Sequence, residues 1–408
     1  MEHITAGELQ RMFADIAHVG TYGCFEYQGI SVGFYSDDPG LLDWFRAFFG
    51  GYFTVTTSDH TDAVVYSSHD PVVFERLKEQ ATANGQPRSA DETEYAADPQ
   101  SSVIYTREID EAKGKVEESC FILAQPGRRV LVSSSGTMSD RQKAVKRSLR
   151  NTMKLLLMEK GWLPFHSAAC VWNDTGICIL GGKFAGKTST LVNLLTRPGA
   201  RLVTNDNLFL RAEGTCIEGC GFPNKAGLRI GALAAYPQLV DWIGQATDSF
   251  YPQIDAEDFR RIVATTPADE LGGRPEKIVL LPTELAAQLD IPIQHVTPIQ
   301  LCLVVEFDPT LEQSRLAPAT DQQIRESLGD TYRSLGKEKQ DFLQRFFGFS
   351  DNSLQVSFDE LLDSFTAHVA VYRLSQNAHT NEHSAELVGE LTRQMHQAAS
   401  PLPHAAAP

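Results

Sequence analysis

The chain has 408 residues, 42% of them hydrophobic and 22% charged, which excludes wholesale disorder and collagen-like repeats and suggests two or three domains at the usual ~100–200 residues each. Its 36 Lys and Arg stand against 52 Asp and Glu, a net charge of −16, which argues against a general electrostatic grip on nucleic acid or anionic lipid. The cysteines, Cys24, Cys120, Cys170, Cys178, Cys216, Cys220 and Cys302, are odd in number and scattered, the pattern of reduced thiols in a cytoplasmic protein.

The first residues, MEHITAGELQ, carry no basic stretch before an apolar run, so no secretory signal is expected. No apolar stretch approaches the ~18 residues of a membrane helix. Residues 1–138 read as a β-rich module. Aromatic and β-branched residues predict strands within Cys24–Tyr35, Tyr52–Thr57, Ala63–Ser68, Ser102–Thr106, Cys120–Ala124 and Arg129–Ser135. A Pro-Gly turn between the last two predicts a hairpin. Leu41–Gly50 has the spacing of a short amphipathic helix closed by Gly50. Thr82–Gln100 is polar, with Pro, Asn and Gly, and reads as a long loop or flexible insert.

Leucines and methionines at helical spacing from Ser139 to Gly161, behind a Ser139 or Asp140 N-cap, predict a helix leading into a second domain, residues 139–375. There Phe165–Trp172 and Gly176–Gly182 read as strands joined at Asn173-Asp174, followed by a helix over Lys187–Leu195. Further strands are expected in Arg201–Asp206, Leu208–Arg211, Ile299–Phe307 and His368–Leu374, with helices near 253–263, 320–334, 338–347 and 357–366. This mixture implies an α/β domain. Residues 376–408 hold one predicted helix and a Pro- and Ala-rich tail.

Gly181-Gly182-Lys183-Phe184-Ala185-Gly186-Lys187-Thr188 matches G-x-x-x-x-G-K-[ST], a phosphate-binding loop, and Ser189 follows it. A nucleoside triphosphate presents a row of anionic oxygens. Glycines let the loop turn its N–H groups around them, and the next helix offers its positive end. Lys187 reaches the β- and γ-phosphates, and Thr188 supplies a hydroxyl for Mg²⁺. A strand before the loop and a helix after it are the setting the motif requires.

The fate of the γ-phosphate depends on other groups. Asn224-Lys225-Ala226-Gly227 lacks the Asp of a guanine-selective N-K-x-D, which disfavours a GTPase. Glu306 and Asp308 end an apolar strand, as an ATPase would want, although Asp308 before Pro309 also reads as a turn residue. Asp206, at the end of the strand after the phosphate-loop helix, could hold Mg²⁺ or accept a hydroxyl proton. Asn205-Asp206-Asn207 also suits a turn. His166, taken alone beside Phe165, reads as structural. Cys216 and Cys220 have no companion ligands for a zinc site, and His379 and His383 read as solvent-facing. No G-x-S-x-G elbow is present.

Together, FHSAACVW, GICILGGKFAGKTST, RLVTNDNLFL, GFPNKAGLRIGAL and VAVYRL resemble the HPr kinase/phosphorylase family. Its relatives include lasso-peptide precursor kinases and, more distantly, phosphoenolpyruvate carboxykinases. The resemblance spans about 139–375, is densest over 163–211, and leaves the first 138 residues without a counterpart. It implies an α/β phosphate-loop domain of HPr kinase/phosphoenolpyruvate carboxykinase type, preceded here by a β-rich α+β recognition or regulatory domain. It implies transfer of the γ-phosphate of ATP, with Mg²⁺, to a hydroxyl: a Ser or Thr of a peptide or protein, or a small-molecule alcohol. Lys187 and Thr188 match the family's phosphate and Mg²⁺ contacts. His166 matches a histidine near the γ-phosphate that pairs with an Asp, and Asp206 matches the second of two adjacent acids, where a small shift in register would let it take over the general-base and metal-side role of the first. Asn205 stands where the first acid is expected. Arg229 matches a basic residue that neutralises the transferring phosphate, with Lys225 and Lys277 as further cations. Members of that family form oligomers, so a homo-oligomer is implied. Asn205 keeps open a nucleotide-binding regulatory protein, and Glu306 with Asp308 an ATPase without an acceptor.

Overall fold

The computed structural model describes residues 3–89, 91–110, 115–230, 250–251, 254, 256–267, 270, 274, 276–332, 342–377 and 381–399. The chain divides into two compact units, Met1–Lys160 with Leu335–Ser353, and Gly161–Ser334 with Leu354–Pro408.

The first unit runs α1 (Ala6–Val19), β1 (Thr21–Tyr27), β2 (Ile30–Ser36), α2 (Pro39–Phe49), β3 (Thr54–Thr56), β4 (Ala63–Ser68), α3 (Pro71–Asn84), β5 (Gln86–Ser89), β6 (Glu92–Asp98), β7 (Ser101–Asp110), β8 (Lys115–Ala124), β9 (Arg129–Ser134) and α4 (Met138–Glu159). Among the described residues its strands form one sheet in the order β3-β1-β2-β4-β9-β8-β7-β6-β5. The pairs β2–β4 and β4–β9 are parallel. Leu9, Phe13 and Ile16 of α1 and Phe74 and Leu77 of α3 form a core with Tyr66, Val103, Cys120, Ile122 and Leu131 of the sheet. Each such burial contributes about 1.5–3 kcal/mol.

Three expectations change here. Thr82–Gln100 is not a loop: α3 runs on to Asn84, and β5 and β6 follow as the outer strands next to β7. Every residue of β5 is exposed, so its polar composition belongs to a solvated sheet edge. The N-cap of α4 is Thr137, whose side chain accepts from the Asp140 N–H while Asp140 accepts from the Thr137 N–H, a capping box. Finally, α4 lies against β2, β4 and β9 and buries Val145, Leu149 and Met153, so the compact units divide after Lys160, whereas 138/139 falls at the helix start. A short helix, Phe342–Phe346, joins this unit with the Phe342 ring 4.9 Å from that of Phe121.

The second unit runs β10 (Leu163–His166), β11 (Ala168–Trp172), β12 (Thr175–Leu180), α5 (Lys187–Leu195), β13 (Arg201–Thr204), β14 (Asn207–Glu213), β15 (Cys216–Gly221), β16 (Ala226–Arg229), α6 (Ala256–Thr265), β17 (Lys277–Leu280), α7 (Pro282–Gln288), β18 (Val296–Pro298), β19 (Leu301–Phe307), β20 (Arg315–Pro318), α8 (Asp321–Thr331), α9 (Asp351–His368), β21 (Ala370–Gln376) and α10 (Asn381–Ala399). The central sheet has the order β13-β11-β12-β19-β21-β20, a second sheet is β10-β14-β15-β18, and β16 pairs with β17. Strand β12 shows why the central sheet forms. Ile177 and Ile179 join a core with Leu191 and Leu195 of α5 and Val388 of α10. Cys178 and Leu180 join the opposite core with Leu328 of α8 and Phe365 of α9. A strand covered on both faces reads as a continuous apolar run, which is what GICIL is.

Phe165–Trp172, expected as one strand, breaks at Ser167. Phe165 pairs with Leu208 in the second sheet, and Ala169 pairs with Cys178 in the central one. At the break the Ser167 N–H donates to Asp206 O at 3.1 Å, and its hydroxyl donates to Ile179 O at 3.0 Å. The side chain supplies the bond that an uninterrupted ladder would have made. The expected helix at 338–347 is described only over Phe342–Phe346, and the expected tail at 401–408 and the stretch 231–249 lie outside the described residues.

Candidate functional site

Strand β11 runs antiparallel to both β12 and β13, while β19 and β21 run parallel to β12. The carboxyl ends of β12, β13, β19 and β21 therefore share one edge of the central sheet with the start of β11. That edge receives the loop after Leu180, the Asn205-Asp206 turn, His166-Ser167, Glu306 to Asp308, and Gln376. Such edges are where open α/β sheets bind ligands.

The phosphate-type loop depends on glycine at defined points. Gly181 has φ +153° and Gly186 +99°. A Cβ on Gly181 would stand 2.7 Å from Val305 O, and one on Gly186 2.8 Å from Gln376 Nε2. Gly182, by contrast, has nothing within 4 Å of a built Cβ, so the loop is open there. The Lys187 ammonium donates to Gly181 O at 2.6 Å and Gly182 O at 3.2 Å. It is thus folded over the loop, where polyphosphate oxygens would be met. The first turn of α5 is pinned from the sheet side. Gln376 Nε2 donates to Thr190 Oγ1 at 2.6 Å, and the Ser384 hydroxyl donates to Gln376 Oε1 at 3.0 Å. Thr188 and Ser189 are half-buried, and the Thr188 hydroxyl has no hydrogen-bond partner among the described residues. An open glycine cradle, an ammonium and an unengaged hydroxyl at a helix N-terminus suit a polyphosphate with Mg²⁺.

Beside the loop, His166 Nδ1 stands 2.8 Å from Asp206 Oδ1, close as an ion pair but not aligned as a hydrogen bond. Asn224 Nδ2 donates to Asp206 Oδ2 at 2.7 Å. Asn205 is buried; its Nδ2 donates to Lys225 O at 3.3 Å, and its Oδ1 has no partner among the described residues. Arg229, at the end of β16, places its guanidinium carbon 4.6 Å from the centre of the Phe184 ring, and its Nη1 donates to Arg274 O at 3.2 Å. Lys277 is the ladder partner of Arg229.

The comparisons with known proteins add little to this geometry. No family model matches the chain, and no curated protein matches its sequence. A solved structure, the Hpr(Ser) kinase/phosphatase from Coxiella burnetii, shares 11% identity with a TM-score of 0.25, covering 58% of this chain and 92% of that one. A superposition that loose identifies neither fold nor chemistry.

Of the sequence candidates, Lys187, Phe184 and Arg229 come together at the loop, and His166 and Asp206 come together at the same sheet edge. Glu306 is engaged at the end of β19: Ser375 Oγ donates to its Oε1, and Arg373 Nε stands 3.4 Å from the same oxygen. Asp308 caps its own turn. The Thr310 hydroxyl and N–H donate to Asp308 Oδ1 at 2.6 and 2.9 Å, and these bonds hold its carboxyl below the ordinary range. The turn reading of Asp308 is therefore the observed one. All seven cysteines are free, and burial pushes the Cys170 thiol up to about 12, far from a nucleophilic thiolate. Among the described residues no set of three His, Cys, Asp or Glu side chains is placed to hold a metal, and no helix is long and apolar enough to cross a membrane. His379 lies outside the described residues, and His383 Nδ1 is buried in α10 rather than solvent-facing. Sequence reasoning missed Gln376 and Ser384, which pin α5, because the first of these contacts spans 186 residues of chain and has no local signal. It also missed Asn224 as a partner of Asp206, although NDN and PNK each advertise amide-rich turns.

Proposed function

We propose that the second unit is an ATP-dependent phosphotransferase that moves the γ-phosphate to a hydroxyl, in the manner of the HPr kinase/phosphorylase family that its motifs resemble. The observation that carries the reading is the sharing of one sheet edge by the Lys187 loop and the His166–Asp206 pair. One group would hold the donor and the other would act on the acceptor. The acceptor is a Ser or Thr of a peptide or protein, or a small-molecule alcohol.

In this reading the N–H groups of 181–188 and the Lys187 ammonium bind the polyphosphate. The Thr188 hydroxyl and the Asp206 carboxylate are the residues that would hold Mg²⁺, which when bound neutralises charge on the phosphoryl oxygens. Asp206, oriented by Asn224 and by the Ser167 N–H on its own carbonyl, accepts the hydroxyl proton, with His166 beside it to share the charge. Arg229 faces the transferring phosphate. Rate enhancement comes from positioning and charge neutralisation. A second reading, a nucleotide-responsive regulatory protein, draws on Asn205: a carboxamide committed to Lys225 O supplies no second carboxylate.

The test supplies wild type and Lys187→Ala with Mg·ATP and a mixed pool of Ser/Thr peptides and hydroxylated metabolites, followed by mass spectrometry. The expected result is a phosphate mass gain on one acceptor with wild type and none with the variant. Tight ATP binding without product from either protein would favour the regulatory reading, and ADP without a labelled acceptor would favour an ATPase.

A further inference from the structure

Phe184 sits in the phosphate loop with φ +68°, a conformation that a bulky side chain adopts only at a cost. Packing does not repay that cost, because the side chain is 59% exposed. Its ring instead carries two cations, the Arg229 guanidinium carbon at 4.6 Å and Lys183 Nζ at 5.0 Å. Arg229 has no carboxylate partner among the described residues, despite the chain's net charge of −16. Its other contact is a backbone carbonyl, Arg274 O. Across the β16–β17 ladder it faces another cation, Lys277, whose side chain runs over Gly227 with Cδ 3.4 Å from a built Cβ. Like charges directly opposite in a ladder repel, so the strand pair by itself would push the guanidinium away. The face of an aromatic ring attracts it instead.

We propose that Phe184 is a positioning residue whose ring holds Arg229 over the phosphate loop, setting where the guanidinium meets the bound polyphosphate. The inference rests on the phosphate-loop reading above. It explains why a strained, exposed aromatic stands in the loop against the arginine. It also assigns the role to the π-face of the ring and not to apolar burial.

The experiment is titration calorimetry of Mg·ATP into the full chain, using wild type, Phe184→Leu, Phe184→Tyr, Arg229→Ala, the Phe184→Leu/Arg229→Ala double variant and Lys187→Ala. Phe184→Leu should weaken binding roughly 3- to 10-fold, and Phe184→Tyr should stay within about twofold of wild type. In the Arg229→Ala background, Phe184→Leu should have no further effect, because the residue it positions is gone. An equal loss in both backgrounds would show that Phe184 acts independently of Arg229 and would overturn the proposal. So would a Phe184→Leu variant that binds like wild type while Lys187→Ala does not. If Lys187→Ala itself binds like wild type, the phosphate-loop reading fails, and this inference fails with it.

Discussion

His166 and Asp206 belong to different strands, and each looks ordinary where it stands in the chain: a histidine after Phe165, and an acid inside an amide-rich turn. Their meaning comes from pairing. The antiparallel partner of His166 is Asn207, which brings the neighbouring Asp206 alongside. The two side chains are 29% and 28% exposed, so their ion pair contributes at most about 1 kcal/mol to stability. Removing the histidine should therefore affect chemistry far more than folding. His166→Asn is expected to lower single-turnover phosphoryl transfer about 10²-fold, with a thermal midpoint close to that of wild type. A large drop in the midpoint with transfer retained would make His166 a structural residue, as it reads when taken alone. The Gly181–Thr188 loop was legible in the sequence because its motif is consecutive. The His166–Asp206 contact was legible only through a family resemblance, and the Asn224 and Gln376 contacts were not legible, because chain order does not encode register.

At the scale of elements, the strand–loop–helix around Gly181–Thr188 lies where hydrophobic pattern and glycine placed it. β12 is buried throughout, and α5 starts at Gly186 in the left-handed region. The outer strands β5 and β6 were not legible, since solvated strands carry no alternating apolar signal. The break between β10 and β11 was hidden for the opposite reason: Leu163–Phe165 before it and Ala168–Val171 after it are apolar and buried, so the run looks continuous. Gly186 links local conformation to the site. Any side chain there meets both an unfavourable φ and the buried amide of Gln376, which is 2% exposed and tied to Thr190 and Ser384. Gly186→Ala should cost at least about 1–2 kcal/mol from the left-handed backbone alone. It should also weaken Mg·ATP binding by shifting the first turn of α5. Thermal unfolding with and without Mg·ATP would check both effects. An unchanged midpoint with unchanged ligand-induced stabilisation would mean the Gln376 network does not set the loop.

Across the whole molecule, each compact unit carries its own core, and every residue proposed to bind or react belongs to the second. Composition foretold this much: a long acidic chain with ample apolar content and two patterns, β-rich and then mixed. It did not foretell that α4 and the Phe342–Phe346 helix would join the first unit, because membership depends on which face an amphipathic helix buries. The overall charge also frames the site. In an acidic chain, Lys183, Lys187, Arg229 and Lys277 gather at or beside one loop, which concentrates positive potential where a polyphosphate would bind. The central claim is that one group holds the donor and another activates the acceptor, and separating the two tests it most directly. Asp206→Asn should be titrated with ATP in the absence of Mg²⁺ for nucleotide affinity, and assayed at saturating Mg·ATP for label transfer from the γ-phosphate to the acceptor pool. The account predicts metal-free ATP affinity within a few-fold of wild type, because the 181–188 loop and Lys187 carry it, and transfer reduced by about 10²–10⁴. Transfer at the wild-type rate would contradict it.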